Sequence, residues 1–109
     1  MILTTNKVGD YLVVAIEGRL DTSTAGDFEK SMMELLEGGN TKIILDCSDL
    51  QYISSSGLRV SLIIQKKMIP RSGRFKICSL QPSIREIFDL SGFSMIFTIY
   101  PDLQTALEA

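Results

Sequence analysis

Four runs of β-branched and aliphatic residues recur along the chain, and each gives way to a segment whose apolar residues fall three or four apart. The runs are Tyr11–Ile16, Lys42–Cys47, Arg74–Ser79 and Ile96–Tyr100. A period of two or a continuous apolar stretch belongs to a strand, and a period near 3.6 belongs to a helix, so the alternation fixes a strand–helix order before any single residue is considered. Residues 2–5 predict a short strand ahead of the first run, joined to it through Val8-Gly9-Asp10 as an antiparallel hairpin at the sheet edge. The resulting order, β-β-α-β-α-β-α-β-α, implies an α/β fold. It would have a mostly parallel sheet of four to five strands, an N-terminal antiparallel edge strand and four helices.

The helices have their own signals. Thr22-Ser23-Thr24 opens one that runs through Leu36 and ends at Gly38-Gly39-Asn40, with Ala25, Phe28, Met32, Leu35 and Leu36 on one stripe. A second runs from about Ser56 to Met68 with a wide apolar face, and Pro70 and Gly73 stop it. Pro82 suits the first position of a third, which Ser91-Gly92 ends. Pro101 and Asp102 begin the last, with Leu103, Ala106 and Leu107 on one side. Ser48-Asp49-Leu50-Gln51 is expected to be a connection, and Tyr52-Ile53 leads onward into three serines. At 109 residues the chain is expected to be one domain, 1–109.

The serines, Ser54-Ser55-Ser56 followed by Gly57, stand where a strand-like run meets a helix. A helix start exposes unpaired N–H groups and the positive end of the helix dipole, which suits a phosphate. Serine is also a favoured N-cap, so the same position has a purely structural reading, with Ser56 as the expected cap. Asp21 has the same duality, as a cap for the first helix or as part of a site. In parallel α/β sheets, ligands and partners meet the loops past the strand C-termini, where Asp21, Asp46, Asp49 and the serines are expected to gather.

Several functions are disfavoured. The chain has no histidine, which removes the commonest general base and the Ser-His and Cys-His nucleophile systems, so catalysis is not expected. Neither GxxxxGK[ST] nor GxGxxG occurs, and the acids do not fall where a phospho-aspartate receiver needs them. Cys47 and Cys78 lie far apart without a CxxC, so neither a metal nor a cofactor is expected, and both read as small buried residues of a reduced, cytoplasmic protein. A net charge of −2 argues against direct nucleic-acid binding. The cations Lys66, Lys67, Arg71, Arg74 and Lys76 cluster locally, but the first three fall in the last turns of the second helix, where they complement its dipole. The opening MILTTNKVGDYLVV lacks a basic stretch before a long apolar one, and no run is long enough to span a membrane, so neither secretion nor membrane insertion is expected.

Three groups of residues then carry a resemblance: Gly18-Arg19-Leu20-Asp21, Asp46-Cys47-Ser48-Asp49-Leu50, and Ile53-Ser54-Ser55-Ser56-Gly57-Leu58. With them the chain is similar to a STAS domain of the bacterial anti-sigma-factor antagonist kind, and the similarity continues through Pro82-Ser83-Ile84 and Phe88–Gly92. The resemblance implies a switch in transcription regulation. Unphosphorylated, such a protein binds an anti-sigma factor that is also a serine kinase and so frees a sigma factor. The kinase phosphorylates the first serine of the S-S-G pair, here Ser55, and a serine phosphatase resets the system. Asp21 matches the acidic residue of the family's G-x-L-D loop, near the modified serine. The implied partner-binding residues are Asp21, Thr22, Ser54, Ser55, Ser56, Gly57, Leu58 and Arg59. Two positions depart from the common pattern: Ser54 stands where many relatives have Asp, and Arg59 stands in place of the glycine of G-L-G-V. Arg59 puts a cation where it can alter partner choice or contact a phosphate. Two other readings remain open: a STAS subunit of a stress-sensing assembly or a transporter, and a nucleotide-binding protein.

Overall fold

A computed structural model describes all of residues 1–109. The strands are β1 (Ile2–Val8), β2 (Tyr11–Leu20), β3 (Lys42–Ile53), β4 (Arg74–Cys78) and β5 (Thr98–Tyr100). The helices are α1 (Ala25–Glu37), α2 (Ser55–Met68), α3 (Pro82–Leu90) and α4 (Leu103–Glu108), with short 3-10 turns at Ile69–Arg71 and Phe93–Met95. The strands lie in one sheet in the order β1-β2-β3-β4-β5. Only β1 and β2 are antiparallel; the other neighbours are parallel. This is the architecture that the alternation implies.

A sheet whose parallel strands follow one another in chain order, joined by right-handed crossovers, must place every crossover helix on the same face. The core shows this. Phe28, Met32 and Leu36 of α1, Leu58, Val60, Ile64 and Met68 of α2, and Ile84 and Phe88 of α3 share one apolar cluster with Val14, Ile16, Leu20, Ile43, Leu45 and Ile77 of the sheet. The opposite face carries a smaller cluster, Val13, Ile44, Cys78 and Ala106, covered by α4. Cys47 and Cys78 therefore point into different clusters, and burial pushes the Cys78 thiol up to about 11.

Two sequence expectations are corrected. The segment 48–51 is strand rather than connection: β2 and β3 stay paired as far as Leu20 and Ile53 because register shifts between Ala15 and Glu17 and between Gly18 and Arg19 absorb the mismatch. Buried Leu50 and Ile53 anchor that extension. The last strand begins at Thr98, since Ile96 follows the 3-10 turn and Phe97 turns inward to the core. Lys76, a cation of β4, has a structural role. It is buried, its Nζ donates to the backbone oxygens of Ala106 at 2.8 Å and Ala109 at 3.0 Å, and it lies over the rings of Tyr11 and Tyr100. Thus β4 holds the last helix against the sheet through a cation at carbonyls near that helix's C-terminal end. No helix is long and apolar enough to cross a membrane.

Candidate functional site

The extended β2–β3 pair delivers two loops to one place. The β2–α1 loop starts at Asp21 and the β3–α2 junction holds the serines. A backbone bond from Ser54 N–H to the Leu20 carbonyl, at 2.9 Å, closes the strands just before both loops. Across the gap the hydroxyls of Thr22 and Ser56 stand 3.5 Å apart.

The Asp21 loop is held by its own short polar side chains. Asp21 Oδ1 accepts from the Ser23 N–H at 3.0 Å and from its hydroxyl at 2.6 Å. The Asp21 N–H donates to Thr24 Oγ1 at 2.9 Å. This is an Asx-type turn, in which the side chain replaces a backbone partner. The Ser23 hydroxyl, with help from the Ser23 N–H and the Arg19 charge, holds the Asp21 carboxyl below the usual carboxylate range. Asp21 does not cap α1; Thr24 occupies that position. The other carboxylate oxygen, Oδ2, faces Arg19 Nε at 3.5 Å. The Arg19 guanidinium in turn stacks over the Tyr52 ring, 4.3 Å from its centroid.

The serines divide their roles differently from the sequence expectation. Ser54, not Ser56, is the N-cap of α2. Its backbone is extended, and its Oγ accepts from the Gly57 N–H at 3.3 Å. A cap must be the last non-helical residue so that its oxygen can turn back to the N–H three residues on, and the helix starts one residue earlier than the sequence indicates. Ser54→Ala is accordingly expected to lower stability by about 1 kcal/mol and Ser56→Ala by far less, as read from urea unfolding. Equal losses in the two variants would contradict this assignment.

Ser55 is exposed at the first position of α2, while the loop's hydrogen bonds run through Ser54 and Ser56 on either side. Gly57 and Leu58 are buried and underlie the site rather than face outward. A Cβ on Gly57 would sit 2.7 Å from Leu20 Cγ and 2.9 Å from Ile53 Cγ1, so glycine lets α2 pack directly on the ends of β2 and β3. Arg59 is exposed, as is Thr22, and Asp21 is partly so. Asp46 and Asp49 do not join the cluster. Asp46 pairs in register with Ala15 and Cys78, and Asp49 with Glu17, so both sit in the paired strand before its end at Ile53. No group of His, Cys, Asp and Glu side chains is placed to hold a metal ion.

The sequence expectation left Arg19 and Tyr52 out of the site. Arg19 lies inside a quoted motif and Tyr52 just before another, yet their contact depends on a register between strands that is invisible locally. The site is also a surface rather than a hole. Two clefts, of about 280 and 300 Å³, lie beside Lys76 and Tyr100 and at the turns near Asp10 and Asn40, away from the serines.

Comparison with known proteins agrees with this fold. Residues 3–106 match the family model described as STAS domain. BtrV of Bordetella bronchiseptica is 33% identical over 109 residues, covering 100% of this chain and 94% of that protein. The anti-sigma F factor antagonist of Paenibacillus polymyxa is 31% identical over 97 residues, covering 88% of this chain and 83% of its own length. A crystal structure from Thermotoga maritima superposes with a TM-score of 0.92 at 26% identity, covering 97% and 92% of the two chains. With the five-stranded sheet, the single-face crossovers and a match across nearly its whole length, the chain belongs to the STAS domain family.

Proposed function

We propose that this protein is an anti-sigma factor antagonist switched by phosphorylation of Ser55. The observation that carries the reading is the exposure of Ser55 at the first position of α2, beside a loop that its own hydrogen bonds keep fixed. The name of the Paenibacillus polymyxa relative supports the same direction. The partner is an anti-sigma factor that is also a serine kinase, and a serine phosphatase reverses the modification. Asp21, Thr22, Ser54, Ser55, Ser56 and Arg59 form the contact surface, with Gly57 and Leu58 setting its shape from below. An outward surface with no cavity suits a protein partner better than a small substrate.

The mechanism follows from the charge. A serine hydroxyl can be covered by a partner at little cost if it is hydrogen-bonded. A phosphate brings about −1.5 to −2 at pH 7, which must be desolvated beside the Asp21 loop, whose Thr22 hydroxyl stands 3.5 Å from that of Ser56. The complex then dissociates while the free fold persists. Incubation with the cognate kinase and ATP, followed by peptide mapping, is expected to give one modified residue, Ser55. Modification confined to another residue, or none in a chain that binds the kinase, would overturn the assignment.

A further inference from the structure

Arg59 follows Ser55 by four residues on α2, so the two side chains share one face of the helix. It is exposed and takes part in none of the chain's three ion pairs. Arg19 approaches from the strand side. It pairs in register with Tyr52, three residues before Ser55, and the Leu20–Ser54 backbone bond keeps strand and helix start together. Its side chain is 60% exposed and meets Asp21 at Nε, 3.5 Å from Oδ2. A guanidinium has five N–H donors, so most of this one faces solvent at the rim of the site. Tyr52 fixes the plane of that guanidinium from one side, which limits the freedom lost on capturing an anion.

Resting on the reading of Ser55 as the modified residue, we propose that Arg19 and Arg59 form a two-armed cradle for its phosphate, with Arg19 exchanging Asp21 for the new anion. The exchange is favourable because the Arg19–Asp21 contact is long and exposed, whereas the phosphate offers up to two charges and three acceptor oxygens. Arg59 needs no exchange. The charged groups around the phosphate are then Arg19, Arg59 and Asp21, two attractive and one repulsive. The modified chain becomes a distinct ordered state, in which Asp21 has lost its cation and faces any approaching partner as a bare carboxylate.

The test places phosphoserine at position 55 during translation, so that it needs no kinase, and follows the phosphate by ³¹P NMR as a function of pH at low salt. The second phosphate pKa is expected below the value of about 6 for an unpaired phosphoserine. Arg19→Gln and Arg59→Gln should each raise it by about 0.3 or more, and the double variant by more than either. Arg85→Gln, which breaks an ion pair with Asp89 on α3, should leave it unchanged. A double variant that titrates within about 0.1 of the parent removes the cradle, and a response to Arg59 alone removes Arg19 from it. A cradle seen in this titration, together with a kinase that never modifies Ser55, would retain the electrostatics and defeat the functional reading. Kinase modification of Ser55 with no arginine dependence would do the reverse.

Discussion

Ser55→Glu, and more strongly the chain carrying phosphoserine at 55, is expected to bind the anti-sigma factor at least roughly 30-fold more weakly than the unmodified protein. Ser55→Ala should bind within about twofold of wild type, since losing one exposed hydroxyl costs little. The asymmetry comes from what each change asks of the interface. Alanine leaves a smaller neutral side chain. A carboxylate or phosphate must shed water at a surface already carrying Asp21, whose charge the Ser23 hydrogen bonds keep in place below neutral pH. Removing one partner of a buried charge pair typically costs 2–5 kcal/mol or more, and burying a new charge that the partner's surface does not neutralise has the same physical origin. Titration calorimetry with the purified partner measures the effect. Undiminished binding of Ser55→Glu and of the phosphoserine form would sink the switch. The thermal midpoints of all three forms should stay within a few degrees of each other, because Ser55 supplies no hydrogen bond to the loop and a helix start favours negative charge.

The second large effect lies in the core. Phe97→Ala is expected to cost about 3–5 kcal/mol. Phe97 is buried and meets three other rings edge to face, with centroids at 6.3 Å to Phe75, 5.8 Å to Phe88 and 6.2 Å to Phe93. It thereby ties the sheet, α3 and the 3-10 turn together. Removing it leaves three faces of the cavity lined by rigid rings that cannot collapse inward, which puts the loss at the upper part of the usual range. At about 4–8 °C per kcal/mol for a domain of this size, the midpoint should fall by more than about 12 °C. Phe97→Leu, which keeps most of the volume, should lose less than half as much, and this second variant remains informative if the alanine variant does not fold. A loss below about 1 kcal/mol for Phe97→Ala would refute the central placement of this ring.

Phe97 also shows where the sequence stops being legible. As one of a run of apolar residues it reads as strand. The left-handed Gly92 and the 3-10 turn after it rotate the chain so that the strand starts two residues later, at Thr98. Elements decided by local period were legible: the buried stripe Ala25, Phe28, Met32 and Leu36 of α1 stands out along the chain, and Pro82 marks the start of α3. Elements decided by pairing were not. Ser48 to Gln51 look like a loop because the two register shifts that keep them in β3 are a property of both strands together. The site divides in the same way. Ser54, Ser55 and Ser56 have the same side chain, and only the backbone conformation at Ser54 and the approach of the Gly57 N–H decide which one caps. Arg19 and Tyr52, 33 positions apart, meet only once that pairing exists.

Placing the cap on Ser54 and leaving Ser55 outside the hydrogen-bonding of the loop uncouples foldedness from signalling. If Ser55 had been the cap, every cycle of modification would have altered the fraction of unfolded chains, and so the rate at which proteases remove the protein. With the two roles on adjacent residues, charge on Ser55 changes what the protein binds without changing how long it survives. The cellular pool of this chain can then be held constant while its state is reversed many times.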